Sequence, residues 1–239
     1  MVSMITDRGV VRNLNEDCAK YLEAEKYSIY VVADGMGGHN AGEVASFMAA
    51  NGIVNYIKDN FTTSEDSNLL KRAIEKVNKD IFNYSLSRKE LSGMGTTITA
   101  CLVLNDVIVV ANVGDSSSFG IKGDKIVKIT KDHSLVQELV DIGSITESQA
   151  ANHPRKNIIT RAVGIDNNVN VDIFKINKNN YDYFLLCSDG LTNEVSKDDI
   201  IKTIKNGCNL KSICSRLVEL AKENGGRDNI TVLLFGGEK

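Results

Sequence analysis

The 239 residues carry 28 Lys+Arg against 31 Asp+Glu, with 42% hydrophobic and 25% charged positions and a net charge of −3. That balance is globular; it excludes a mainly disordered chain and offers no basic face for nucleic acid or an anionic membrane. The single proline, Pro154, leaves no proline-rich linker, so one domain over 1–239 is expected.

No apolar run reaches the ~20 residues of a membrane span, and Asp7, Arg8 and Arg12 interrupt the N-terminus before any signal-type apolar core. The five cysteines form no C-x-x-C pair, which argues against a disulfide framework or a thiolate zinc site. A soluble, cytoplasmic, monomeric protein is expected.

The first strand signal is Tyr27–Ala33, running into Asp34-Gly35-Met36-Gly37-Gly38. Helical spacing follows from Gly42 to Phe61, with Val44, Phe47, Met48, Ile53, Val54 and Ile57 as its apolar stripe. A second helix is predicted over Ser67–Ser87, with Leu70, Ile74, Val77, Ile81 and Phe82 on one face. The period then changes: Thr96–Leu104 and Val107–Val113 are β-branched runs joined by Asn105-Asp106, a hairpin. A strand at Lys125–Ile129, a helix at Leu135–Ile142 and a polar surface segment at Gly143–Ile158 with one helical turn come next. Strands return at Val169–Ile176 and Asp182–Cys187, then helices at Lys197–Lys205 and Leu210–Glu223, and a last strand at Asn229–Phe235. Hairpin-like strands interleaved with paired helices give no regular βαβ alternation, so antiparallel sheets covered by helices, an α+β fold, are predicted.

The aspartates fall in a pattern. Asp34, Asp115 and Asp189 each follow an apolar strand, and Asp228 precedes one. In an antiparallel sheet the end of one strand lies beside the start of the next, so four such carboxylates can converge on one rim. Asp-Gly after a strand is also ordinary turn chemistry, and any one of these sites taken singly reads that way. Four together favour a cation, and an all-oxygen donor set suits Mg²⁺ or Mn²⁺ and not zinc.

The flanking residues run Arg12-Asn13-Leu14-Asn15-Glu16-Asp17, then Asp34-Gly35-Met36-Gly37-Gly38-His39 with Gly42-Glu43 beyond. Gly95-Thr96-Thr97, Gly114-Asp115-Ser116, Asp132-His133-Ser134, Thr160-Arg161-Ala162, Ser188-Asp189-Gly190-Leu191 and Asp228-Asn229-Ile230-Thr231 complete the set. Taken in this order, from about Asp7 to Phe235, the sequence resembles the metal-dependent protein serine/threonine phosphatases (PPM, type 2C) in their compact bacterial form. The resemblance implies two antiparallel sheets packed face to face as a sandwich, with helix pairs on the outer faces and a flap at about 143–163. It implies two Mn²⁺ or Mg²⁺ ions bridged by Asp34, with the Gly35 carbonyl, Asp189 and Asp228 as inner ligands and Glu16 and Asp17 acting through bound waters. Asp115, sharing Asp189, would hold a third, weaker ion.

By the same resemblance Arg12 binds phosphate, and His39 is a candidate acid for the leaving alkoxide, against its alternative as a loop-shaping residue. Phosphoprotein substrates and an opposing serine/threonine kinase are the implied partners. One departure is Ser117, where the family usually carries arginine. His133 is expected to order the loop after the Lys125–Ile129 strand, and His153 and Arg155 to be solvated flap residues. Other phosphatase designs are absent: no cysteine has an arginine six positions on, and D-x-D does not occur.

Overall fold

The computed structural model describes residues 1–36, 41–63 and 66–236. Eleven strands and seven α-helices are formed among them. One sheet contains β1 (Val2–Asp7), β11 (Ile230–Gly236), β10 (Tyr183–Cys187), β7 (Ser117–Lys122) and β8 (Lys125–Lys128), in that order. The other contains β2 (Asp17–Glu23), β3 (Ser28–Met36), β5 (Ile98–Leu104), β6 (Val107–Val113) and β9 (Asp172–Asn177), with the short β4 (Gly95–Thr96) paired to the end of β3. Every pairing is antiparallel.

Three apolar layers follow from period-two alternation along the strands. On β3, Ile29, Val31 and Ala33 face α1 (Ala41–Asn60) and α2 (Leu69–Leu86). Tyr30 and Val32 face the opposite sheet, where they meet Phe184, Leu186, Leu233 and Phe235. The rings of Tyr30 and Phe235 stack with centroids 4.0 Å apart, and Phe184 stacks on Phe235 at 5.1 Å. On the far side of the first sheet, Leu185, Val232 and Leu234 pack against α6 (Lys197–Asn206) and α7 (Leu210–Glu223). The α+β sandwich with outer helix pairs is therefore the observed fold.

The expected hairpin forms with Asn105 at φ +52°, a left-handed conformation that asparagine tolerates better than most residues. The polar segment after α3 (Leu135–Asp141) holds one short helix, α4 (Glu147–Ala151), closed by a capping box between Thr146 and Gln149.

Several details differ from the sequence reading. The strand beginning near Tyr27 does not stop at Ala33 but runs through Asp34 to Met36, because β4 pairs Gly35 with Thr96 and Met36 with Gly95. Asp34 is thus a strand residue and not a turn residue. The strand placed at Val169–Ile176 starts only at Asp172. On α1 the buried face is made of small residues, Ala45, Ser46, Ala49 and Ala50, before Ile53 and Ile57. Phe47, counted in the apolar stripe, is 61% exposed. β1, β2 and β7 were not anticipated.

Candidate active site

The inner columns of the sandwich are apolar over most of their length and turn polar at one end. Following the parity of Tyr30 and Val32, Asp34 points between the sheets. Ala19 belongs to that inner layer, so Asp17, two residues before it, shares its face. Phe184 and Leu186 lead likewise to Ser188. Cross-sheet contact is direct, since the Ser188 hydroxyl donates to Asp17 Oδ2 at 2.7 Å. Asp34 and Asp17 of one sheet thus meet Ser188 of the other at the end both sheets share, and the charges of Asp115, Asp189 and Asp228 reach Asp34 there.

Asp34 is central. Its backbone is fixed by Thr97, whose Oγ1 accepts from Asp34 N–H at 3.0 Å and whose N–H donates to the Asp34 carbonyl at 2.8 Å. Asp17 lies directly opposite it in the β2–β3 register, and like charges facing across a strand pair repel. Burial pushes the Asp34 carboxyl well above its usual range, and the charges of Asp17, Asp189, Asp115 and Asp228 push it in the same direction. Five carboxylates thus share one electrostatic neighbourhood. Gly35 brings the strand against the chain on both sides: a Cβ there would lie 2.2 Å from the Gly42 carbonyl oxygen and 2.5 Å from that of Glu16.

The other carboxylates show the same strain. Asp17 is pushed up to about 7, first by burial, with Ser188 opposing and Asp189 and Asp228 adding to it. Its Oδ1 is buried and has no hydrogen-bond partner; the neighbouring Thr231 hydroxyl donates to Thr6 at 2.8 Å and, with Ser188, holds the Asp17 carboxyl down against burial. Asp115 rises to about 7 through burial and the charges of Asp189 and Asp132. Asp189, the first residue of α5 (Asp189–Thr192), rises to about 6 through burial and Asp228, while Asn193 donates to its Oδ2 at 2.9 Å. Glu16 is raised chiefly by burial, against the nearby Arg12 charge.

Arg12 donates from Nη2 to Asp228 Oδ2 at 2.8 Å. Both side chains are partly exposed, and such a pair is worth only about 0.2–1 kcal/mol, so an arriving phosphate can compete for the guanidinium.

The donor set fits hard divalent cations: it is oxygen only, half-buried, mutually repelling, and includes an orphaned buried oxygen on Asp17. Among the described residues no group of three or more His, Cys, Asp or Glu side chains is already folded into a metal-holding arrangement. Asp228 is drawn toward Arg12 and Asp189 toward Asn193. A cavity of about 440 Å³ opens between Asp115 and Asp189 and is walled by Glu147, Lys156 and Asn157 of the expected flap.

The structure thus brings Arg12, Glu16, Asp17, Asp34, Gly35, Asp115, Asp189 and Asp228 to one end of the sandwich. His39 lies outside the described residues. His133 orders its loop as expected: its Nδ1 accepts from the Gly114 N–H at 3.0 Å and its Nε2 faces Asp172 at 3.1 Å, beside the Arg161 guanidinium. His153 Nδ1 accepts from the Arg155 N–H at 3.1 Å within the polar segment after α4. Ser117 is the buried first residue of β7, paired with Cys187.

Sequence reasoning assigned no part to Asn229. Its side chain accepts from the Glu16 N–H at 2.8 Å and donates to the carbonyls of Arg8 and Leu14. This one buried amide ties the Arg12 loop to the start of β11. Its position beside Asp228 was the only signal available.

A family model described as protein phosphatase 2C matches residues 10–233. The chain belongs to the protein phosphatase 2C family. It is therefore an enzyme, a phosphatase of the hydrolase class. It is 43% identical over 233 residues to a serine/threonine phosphatase stp of Listeria innocua, covering 96% of this chain and 92% of that protein. Among solved structures, serine/threonine phosphatase Stp1 from Staphylococcus aureus superposes with a TM-score of 0.94 at 36% identity, covering 100% of this chain and 95% of that one. The Mycobacterium tuberculosis serine/threonine phosphatase PstP/Ppp superposes at 0.86 with 32% identity, over 98% and 97% of the two chains. Family membership fixes the phosphatase class but leaves the role of each side chain to the local geometry.

Proposed function

We propose that this phosphatase hydrolyses phosphoserine and phosphothreonine esters in proteins with the help of two divalent ions held at the carboxylate end of the sandwich. The observation that carries the reading is the convergence of Asp17, Asp34, Asp115, Asp189 and Asp228 on one half-buried neighbourhood with Arg12 at its edge. Its relatives named serine/threonine phosphatases support it. Asp34, Asp189, Asp228 and the Gly35 carbonyl would hold the ions directly, Glu16 and Asp17 through bound water, with Asp115 and Asp189 available to a third. Bound there, Mn²⁺ or Mg²⁺ would supply an activated water near neutral pH and offset charge on the phosphoryl oxygens.

The chain's own residues do the remainder. Arg12 presents a planar pair of N–H donors that matches two phosphate oxygens, and its loop is held in place by Asn229. His39 is the proposed proton donor to the leaving alkoxide. The opposing serine/threonine kinase, a monomeric state and a cytoplasmic location belong to the same proposal. No helix among the described residues is long and apolar enough to cross a membrane.

Phosphate release from a phosphothreonine peptide tests the reading. Activity is expected to vanish in EDTA and return with Mn²⁺ or Mg²⁺, while thiol alkylation under native conditions changes little, since no cysteine takes part in the proposed chemistry and Cys101, Cys187 and Cys214 are buried. Full turnover after exhaustive chelation would overturn it.

Arg12→Ala provides a second check. A guanidinium that binds phosphate equally in ground and transition states contributes uniform binding, so its loss should raise KM about tenfold or more with a smaller change in kcat. A pure kcat effect would instead place Arg12 in the reacting step.

A further inference from the structure

Three lysines, Lys128, Lys156 and Lys197, line the cavity between Asp115 and Asp189; Lys156 donates to Asn193 at 2.9 Å, while Lys128 is paired to a carboxylate of the cavity itself. Lys128, the last residue of β8, places its Nζ 2.6 Å from both carboxylate oxygens of Asp132, and the two side chains are 28% and 25% exposed. Lys128, Asp132, Asp115 and Asp189 line the same cavity. The segment between Lys128 and Asp132 is anchored to the strands flanking Asp115. Ile129 N–H donates to the Ser118 carbonyl at 2.8 Å, Thr130 Oγ1 accepts from Ser118 N–H at 3.0 Å, and the Lys131 carbonyl accepts from Asn112 at 3.0 Å. The backbone between the two partners is thereby anchored, which keeps the Lys128–Asp132 pair beside Asp115. Its charge favours the ionised form of Asp115, against the opposing charges of Asp189 and Asp132.

We infer that Lys128 is a built-in counter-cation of Asp115 and Asp132, occupying electrostatically part of the ground a third divalent ion between Asp115 and Asp189 would need and so weakening that ion's binding in this chain. The physical reason is that a positive charge repels an incoming cation at short range, and does so more strongly in a partly enclosed cavity than in bulk water. Asp132, tied at both oxygens to the ammonium, is also withheld as a ligand. The inference rests on the proposed divalent-ion site and concerns only its outer position; the inner pair at Asp34, Asp189 and Asp228 is left as proposed.

Mn²⁺ binding, counted from the loss of the free-ion paramagnetic resonance signal and by calorimetry, provides the test. The proteins compared are the wild type, Lys128→Gln, Lys128→Met, Lys128→Arg and the double variant Lys128→Gln/Asp115→Asn. Either neutral variant, whichever folds, is expected to tighten the weakest Mn²⁺ site by roughly tenfold or more. Lys128→Arg should match the wild type, and adding Asp115→Asn should abolish the gain. Superposable isotherms for the wild type and a neutral variant would overturn the inference while leaving the inner pair intact, as would a gained ion that survives Asp115→Asn. A wild-type protein that binds no Mn²⁺ at all would overturn the proposed function and this inference with it.

Discussion

Asp34→Asn is expected to lower kcat on a phosphothreonine peptide by roughly three orders of magnitude, about 4 kcal/mol of transition-state stabilisation, and to raise the melting temperature measured in EDTA. The two effects come from the same charge. Asp34 faces Asp17 across the strand pair and feels four other carboxylates, so without a cation its ionised form is a liability to folding. Asparagine keeps the shape and removes the charge. With Mn²⁺ present the order should reverse, because the variant loses the central anion that draws the ions in. A variant that is inactive but no more stable than the wild type in EDTA would mean that Asp34 is not a centre of repulsion. One that keeps wild-type turnover would remove it from the site.

The second large effect is on the pH dependence of stability. Asp17 and Asp115 are raised from 3.8 to about 7 and Asp189 to about 6. Between about pH 4 and pH 7 the folded chain therefore holds protons that the unfolded chain has released. Stability contributed by the protonated forms is full below pH 4 at these groups and is lost as pH rises through 6 and 7. A shift of about three units in one group corresponds to about 4 kcal/mol, and a domain of this size changes by about 2–4 °C per kcal/mol. The EDTA-treated protein is thus expected to melt at least about 5 °C lower at pH 8 than at pH 5.5, as followed by circular dichroism. Mn²⁺ should reverse the trend, since ligand carboxylates must be ionised to bind it. A flat or rising profile in EDTA would show that the carboxylates are not crowded as described.

What could be read from the sequence depended on whether the signal was local. The hairpin at Asn105-Asp106, α2 and α7 carry their own periodicity and emerged within a few residues of their observed bounds. β1 and β2 are edge strands, half-exposed and mixed in composition, so they lack the clean alternation that marks a strand. β7 begins with two serines and includes Gly120, where a Cβ would lie 2.6 Å from the Tyr181 ring. Its strand character comes from pairing on both sides, with β10 and β8.

The candidate site shows the same division. Asp34, Asp115, Asp189 and Asp228 were visible because each interrupts an apolar run. Their meeting depends on strand register and sheet packing, which place Asp17 opposite Asp34 and Ser188 against Asp17. Neither relation is legible in one dimension. The parts played by Asn229 and Lys128 are longer-range still, since their partners are set by how loops cross the end of the sandwich.

The most direct measurement is the anomalous difference density of crystals soaked in Mn²⁺, collected at the manganese absorption edge. Two strong peaks within coordination distance of Asp34, with Asp189 and Asp228 turned away from Asn193 and Arg12 to meet them, are the predicted result. Peaks confined to other surface carboxylates, with Asp34 unligated at saturating Mn²⁺, would contradict the account.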